Sequence, residues 1–405
     1  MSASQFDPIA PARASVAEVF RVFLMLGLSS FGGPVAHLGY FHRELVQRRC
    51  WVSEAQYAQL LAICQFLPGP ASSQLGFSLG LLRAGWGGGL AAFVAFTTPS
   101  VLLLLLFAAA LPWLTGSLAE AALHGLKLVA CVVVGDALLS MARKLCPDPA
   151  RRVIALCAAL LMFWLDATWA QMLVLILGAA GGLYWCRNTT MNVAVPIPVA
   201  YGRHIAWCAM LLFLVLLGGL LVGAPELPGL LATAEAFYRA GALVFGGGHV
   251  VLPLLEQSVV GTGWVSGEAF LAGYGAAQII PGPMFAFSAY LGALVPGDHP
   301  SWLSATTALL CMFLPGFLLL IAALPLWQTL VRHASALKVI SGVNAAVVGL
   351  LAAALIDPVL LQGVRSIVDA GIVALGLALL LRWRLHIGWV VLFCVLSSVL
   401  KVPWA

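Results

Sequence analysis

The chain has 405 residues, of which 62% are hydrophobic and only 9% charged, with 20 Lys and Arg against 15 Asp and Glu. A soluble domain carries about 25% charged residues, and so few charges cannot cover a water-soluble surface. The composition excludes a cytosolic enzyme, a nucleic-acid binder and a disordered chain; it leaves a polytopic membrane protein, whose net charge of +5 says little about partners.

Residues 1–15 contain Asp7, Pro8, Pro11 and Arg13 and no apolar core, so they read as a short cytoplasmic tail, not a signal peptide. Crossing a bilayer takes about 20 apolar residues. Uncharged stretches at 87–112 and 301–327 reach that length, and 167–186 and 204–222 also lack Asp, Glu, Lys and Arg. Shorter candidates lie at 153–165, 370–381 and 387–400, while 118–142 and 337–356 carry a few polar groups. All of them read as helices, because lipid tolerates no open strand edge and the alternation of a barrel is absent. The nine cysteines are scattered without a C-x-x-C pair, which points to apolar packing and to neither disulfides nor zinc.

The chain also repeats itself. Phe31-Gly32-Gly33-Pro34 is echoed by Phe245-Gly246-Gly247-Gly248, and Trp51-Val52-Ser53 by Trp264-Val265-Ser266. Gln65, ahead of Pro68-Gly69-Pro70, recurs as Gln278 ahead of Pro281-Gly282-Pro283. Pro99 matches Pro315, and Gly125-Leu126-Lys127 matches Gly342-Val343-Asn344, always at an offset of 213 to 217. Ordered matches at a near-constant offset indicate duplication, and duplicated halves with Gly/Pro-broken segments are the pattern of secondary transporters. The reading is an all-α membrane protein with a first repeat at 16–187 and a linker at 188–234 carrying an unpaired span, 204–222. A second repeat fills 235–405.

Charge orients the halves. Arg43, Arg48 and Arg49 share one connection of the first half, and Arg143, Lys144, Arg151 and Arg152 another. The matched connection at 254–263 has no basic residue and carries Glu256; Arg332, His333, Lys338, Arg382, Arg384 and His386 flank the opposite turns. Cytoplasmic loops collect Lys and Arg, so the halves are expected to face opposite ways, with the unpaired span making the inversion possible.

The Pro-Gly-Pro elements are the first candidate site. Pro68 or Gly69 must end a helix, and Pro70 suits the first residue of the next. The amides of Ala71, Ser72 and Ser73 then head a helix whose positive dipole end favours anions. Irregular backbone at membrane depth is tolerated only around a protein-lined cavity. A Pro-kinked packing helix is the competing reading, weakened because two breaks occur at matched positions. Gly32-Gly33 and Gly247 with His249 form a second pair of breaks, suited to close ligand approach or to tight helix contact. Lys127, one turn from His124, is either a counter-charge for an anion or a snorkelling lysine; Asn344 takes its place in the other half. Gln65 and Gln278 are uncharged donors suited to oxyanions or to helix contacts. Arg43 and Glu44, near His37 and His42, mark either a charged gate or an amphipathic surface helix, with Glu256 opposite. No Walker loop, H-E-x-x-H helix or nucleophile elbow is present, so neither ATP hydrolysis, a cofactor nor a metal is expected.

These motifs resemble the chromate ion transporter family in its long two-domain form. The residues that carry the resemblance are Ser30-Phe31-Gly32-Gly33-Pro34, His42-Arg43-Glu44-Leu45-Val46, Arg48-Arg49-Cys50-Trp51-Val52-Ser53-Glu54 and both Pro-Gly-Pro elements. Phe245-Gly246-Gly247-Gly248-His249 and 342–349 add to it, and the likeness runs from about Glu18 to near the end; Cys50 stands where a third basic residue is expected. The resemblance implies a multi-pass protein of the bacterial inner membrane that exports chromate and gives resistance, with sulfate as a related oxyanion. The expected partners are these anions and the lipid bilayer, no nucleic acid, and a second copy of the chain as a candidate homodimer. An inward carrier of sulfate or another oxyanion and an anion channel are the alternatives. A membrane-embedded enzyme would need a nucleophile–base pair or metal ligands that the sequence does not offer.

Overall fold

The computed structural model describes residues 15–165, 170–186, 199, 201–223, 229–245, 251–331, 334–383 and 385–401. Residues 1–14, parts of the linker (188–198, 200 and 224–228), and Gly247 and His249 of the expected site lie outside them. The first half contains α1 (Val16–Ser29), α2 (Gly33–Phe41), α3 (Glu54–Phe66), α4 (Ala71–Ala110), α5 (Ser117–Leu145), α6 (Pro149–Trp164) and α7 (Ala170–Trp185). A wider helical turn, His42–Arg48, prolongs α2. After α8 (Arg203–Gly223) come α9 (Gly229–Leu243), α10 (Val251–Val259), α11 (Gly267–Ala277), α12 (Phe287–Leu294), α13 (Ser301–Val331) and α14 (Ala334–Ala354). Short α15 (Leu361–Gly363), α16 (Ile367–Leu381) and α17 (Ile387–Leu400) complete the chain, with no strand among the described residues.

Among the described residues, five helices are long and apolar enough to cross a membrane: Ala71–Trp113, Ser117–Leu145, Arg203–Leu220, Ser301–Trp327 and Ser335–Gly363. The protein is therefore an all-α polytopic membrane protein. Within the described residues, each apolar stretch named above lies on a helix apart from a residue or two at its ends. The stretch 87–112 starts just past a bend in α4, where Ala84 leaves helical angles and Gly85 takes φ +64. Among the helices with no counterpart in those stretches are α1 and α9. Glu18 and Arg21 interrupt the first, and Glu235 and Arg239 the second. At 14 and 15 residues each is about 21 Å long, short of a bilayer core.

Matched residues build matched structure. Ser53 caps α3 by accepting the Gln56 N–H (3.2 Å), and Ser266 caps α11 by accepting the Ala269 N–H (3.2 Å). Such hydroxyls satisfy donors that the helix ladder leaves free. α1 lies along α4 and α9 along α13, both through a glycine. A Cβ placed on Gly27 would lie 2.7 Å from Phe96 O, and one on Gly241 would overlap Met312 O. The later helices cross over between the halves. α14 packs on α6 and α7, where Gly342 meets Gly178 and Gly182 without room for a side chain. α5 packs on α16 and α17, where a Cβ on Gly125 would lie 2.6 Å from Val395 Cα. Close backbone approach through small residues is how helices associate where lipid removes the hydrophobic drive.

Candidate functional site

The two Pro-Gly-Pro turns engage the opposite halves. Gly69 has φ +114 and Gly282 φ +99, angles that an L side chain resists. The Gly69 N–H donates to Val244 O (2.7 Å), just ahead of Phe245, and the Gly282 N–H donates to Ser30 O (2.9 Å), just ahead of Phe31. The Pro-Gly-Pro turn of each half is thus bonded just ahead of the Phe-Gly-Gly motif of the other. The same turns press on the long helices α4 and α13. A Cβ on Gly69 would lie 2.9 Å from Gly316 Cα, and one on Gly282 would overlap Ser100 Oγ. Ser100 and Gly316 each follow a matched proline, Pro99 and Pro315.

Side chains fasten both junctions. Ser100 Oγ donates to Pro281 O (2.6 Å). Gln74 Nε2 donates to Pro68 O and to Gly316 O, each at 2.9 Å. Gln74 is fully buried, so Gln74→Leu leaves both carbonyls without this donor. The expected cost is about 2 kcal/mol, to be read as a lower thermal midpoint in detergent. An unchanged midpoint would contradict this bridging role.

The expected helix start is present. The first ladder bond of α4 runs from the Gln74 N–H to Pro70 O (2.9 Å), so the amides of Ala71, Ser72 and Ser73 precede it. Ser72 and Ser73 are buried, and the Ser73 hydroxyl has no hydrogen-bond partner. Gly32 (φ +96) and Gly33 (φ +76) open α2 in two successive left-handed steps. In the second half a single 3₁₀ turn, Met284–Ala286, intervenes before α12.

The two glutamines, equivalent in sequence, part company. Gln278 is buried and its Nε2 lies 3.3 Å from Met284 Sδ, against its own break. Gln65 is half-buried and accepts from Lys144 Nζ (3.4 Å) at the far end of α5. The structure therefore does not bring Gln65 to the turn.

Lys127 is buried, and its ammonium lies 2.9 Å from Glu268 Oε1 in the other half. Arg365 binds the same carboxylate. Glu268 is absent from the residues singled out by sequence; its only signal is a place in the first turn of α11. The hydrogen bond from Lys127, its charge and the nearby Arg365 hold the Glu268 carboxyl below the usual range against the effect of partial burial. Here Lys127 is a member of an ion pair and not an unpaired counter-charge. Beside it, Asp369 meets His124 (3.3 Å) and Lys401 (2.6 Å). α5 and α11 touch so closely that a Cβ on Gly275 would overlap Leu126 O. As a result α11 is buried from Phe270 through Ala277, whereas α3 is only half-buried at Leu61, Ala62 and Gln65. The halves match in sequence but not in closure. Asn344, at the position matching Lys127, is half-buried and its Oδ1 has no partner.

Of the charged connection, Arg43 is exposed and Glu44 buried. Burial pushes the Glu44 carboxyl up, but Arg49 (2.6 Å) and Arg48 (3.1 Å) more than offset it and hold it below the usual range. Glu44 thus ties its own connection together. Glu256 sits half-buried on α10.

The model of the chromate transporter family matches residues 17–183 and again 231–399. A probable chromate transport protein of Synechococcus elongatus is 30% identical over 92% of this chain and 91% of its own. A chromate transport protein of Pseudomonas aeruginosa is 30% identical over 97% of the chain and 94% of its own. One from Cupriavidus metallidurans is 28% identical, covering 91% and 88%. No solved structure matches the chain.

Proposed function

The chain belongs to the chromate transporter family, and on that premise we propose that it is a secondary transporter that exports chromate from the bacterial cytoplasm across the inner membrane and so confers resistance. The observation that carries this reading is the reciprocal bonding of the breaks, Gly69 to Val244 and Gly282 to Ser30. It brings each Pro-Gly-Pro turn against the residues just ahead of the other half's Phe-Gly-Gly motif, beside Ser100 and Gly316 of the long helices. Such backbone, with helix-start amides and buried hydroxyls, is suited to an oxyanion at membrane depth.

Chromate is largely a dianion at neutral pH, and the bacterial interior is negative. One charge moved through 100 mV is worth about 2.3 kcal/mol. Two charges give about 4.6 kcal/mol, on the order of a thousandfold gradient. Outward movement of the dianion is already downhill, so the membrane potential alone suffices and proton coupling is unnecessary. The reading is tested with radiolabelled chromate in inverted membrane vesicles, with sulfate as competitor. Saturable, sulfate-inhibited accumulation is the expected result. Channel-like conductance, or sulfate uptake without chromate uptake, would overturn it.

The inverted arrangement makes its own prediction, motivated by the basic residues that change sides between matched connections. Single cysteines at 43–49 and 254–263, on a cysteine-free background, are expected to label from opposite faces, the former cytoplasmic. Labelling from one face would remove the inversion.

A further inference from the structure

Three buried polar side chains on the segments packed around the Gly282 turn have hydrogen-bonding capacity left unused. Ser30, whose carbonyl receives the Gly282 N–H, is 0% exposed and its hydroxyl has no partner. His37 on α2 is 0% exposed, and its ring lies near the Ser30 backbone without either nitrogen completing a well-formed hydrogen bond. The ring stands edge-on to Phe96, with centroids 5.4 Å apart. Thr97 is 2% exposed and its hydroxyl is likewise unpaired. Thr97 lies between Phe96, whose carbonyl would be 3.2 Å from a Cβ on Gly282, and Ser100, which holds Pro281 O. Ser30 touches the turn directly, while Thr97 and His37 stand one step away, Thr97 in the Phe96–Ser100 stretch that lines the turn and His37 against Phe96.

More than nine in ten buried polar groups are paired, and each one left unpaired costs about 1–3 kcal/mol. Three on the segments around one turn are a standing cost unless something uses them. Two hydroxyls and an imidazole N–H are donors, and a tetrahedral oxyanion offers acceptors in every direction. We propose that Ser30, His37 and Thr97 are the side-chain donors that seat the oxyanion at the Gly282 turn. This rests on the transport reading and moves the seat from the serines of the first-half helix start to the facing junction. His37 sets its orientation, because its planar ring is fixed against Phe96 and can direct only one edge at the ligand. The seat is occluded in this conformation, so the anion enters only when the packing around α1 and α2 opens.

An unpaired hydroxyl gives the empty protein nothing, which yields an unusual signature. Thr97→Val keeps the shape and removes the hydroxyl. It is expected to weaken chromate binding about tenfold, the loss of one hydrogen bond, while the thermal midpoint of the ligand-free protein stays level or rises. Ser30→Ala should behave alike. His37→Leu should remove measurable binding, and His37→Gln, which keeps a donor, should restore part of it. Binding is measured by equilibrium dialysis of radiolabelled chromate against the full chain in nanodiscs, with thermal midpoints taken on the same samples. Wild-type binding with unchanged affinity in Thr97→Val and Ser30→Ala would mean the groups hold only water, and would overturn this inference alone. A lowered midpoint with unchanged affinity would make them structural and overturn it equally. A wild-type protein that binds neither chromate nor sulfate would overturn the transport reading and this inference with it.

Discussion

Replacing Gly282 by Ala is expected to lower chromate transport at least about a hundredfold while the protein still inserts into the membrane. Two costs act together. At φ +99 a side chain strains the backbone by about 1–2 kcal/mol. The new Cβ also overlaps Ser100 Oγ, so the bond from Ser100 to Pro281 O must break or the turn must shift. Gly69→Leu does the same to the other junction, against Gly316. Gly116 separates strain from clash: it has φ +95 and open space around it, so Gly116→Ala should keep most of the transport. The clash at Gly282 is with one side-chain oxygen, so adding Ser100→Gly to Gly282→Ala should recover part of the activity. Chromate flux in vesicles matched for protein content decides it. Near-normal flux in both Gly69→Leu and Gly282→Ala would place the transport path elsewhere.

The second large effect is expected at the Lys127–Glu268 pair. Glu268→Gln leaves a buried ammonium facing a neutral amide and removes the carboxylate that Arg365 shares. Breaking a fully buried pair costs about 3–5 kcal/mol. The Glu268 side chain is 64% exposed, so about 2 kcal/mol is a better figure here. Because the pair joins α5 to α11, the closed packing between the halves should loosen. Flux should fall about tenfold or more, and a cysteine at Ala272, buried on α11, should become reactive to a water-borne thiol reagent. Lys127→Met combined with Glu268→Gln should recover much of the closure, since an apolar side chain can fill the buried site. Charge reversal should not, because a lysine at 268 would meet Arg365. Additive losses in the double variant would show that the pair does not act as a unit.

Much of this architecture is readable in the chain because membrane depth enforces it. The uncharged runs 87–112 and 301–327 can only be helices, and α4 and α13 hold nearly all of them. Pro68-Gly69-Pro70 and Pro281-Gly282-Pro283 must stop a helix wherever they sit. What they touch is not readable. Nothing local says that the Gly69 N–H seeks Val244 or that Gly282 seeks Ser30, since those partners lie in the other half. The same distance hides Glu268, which Lys127 finds only through packing of α5 on α11. Gln65 and Gln278 show the limit of repeat logic: they match in sequence, but one faces Met284 and the other Lys144, because the two halves are closed to different extents. Thr97 gives no signal and Ser30 only as the head of its motif, since a hydroxyl in an apolar run normally bonds back to its own helix. Only the packed structure leaves these two hydroxyls without a partner.

Chromate is expected to move outward as a charged species down the membrane potential, and every other step of the proposed export depends on this. The most direct test uses proteoliposomes of defined orientation with a potassium-diffusion potential and no pH gradient, loaded with radiolabelled chromate. Efflux that rises with an inside-negative potential, and reverses when the potential is reversed, is the predicted result. Flux that ignores the potential but follows an imposed pH gradient would contradict it and replace it with proton-coupled, electroneutral exchange.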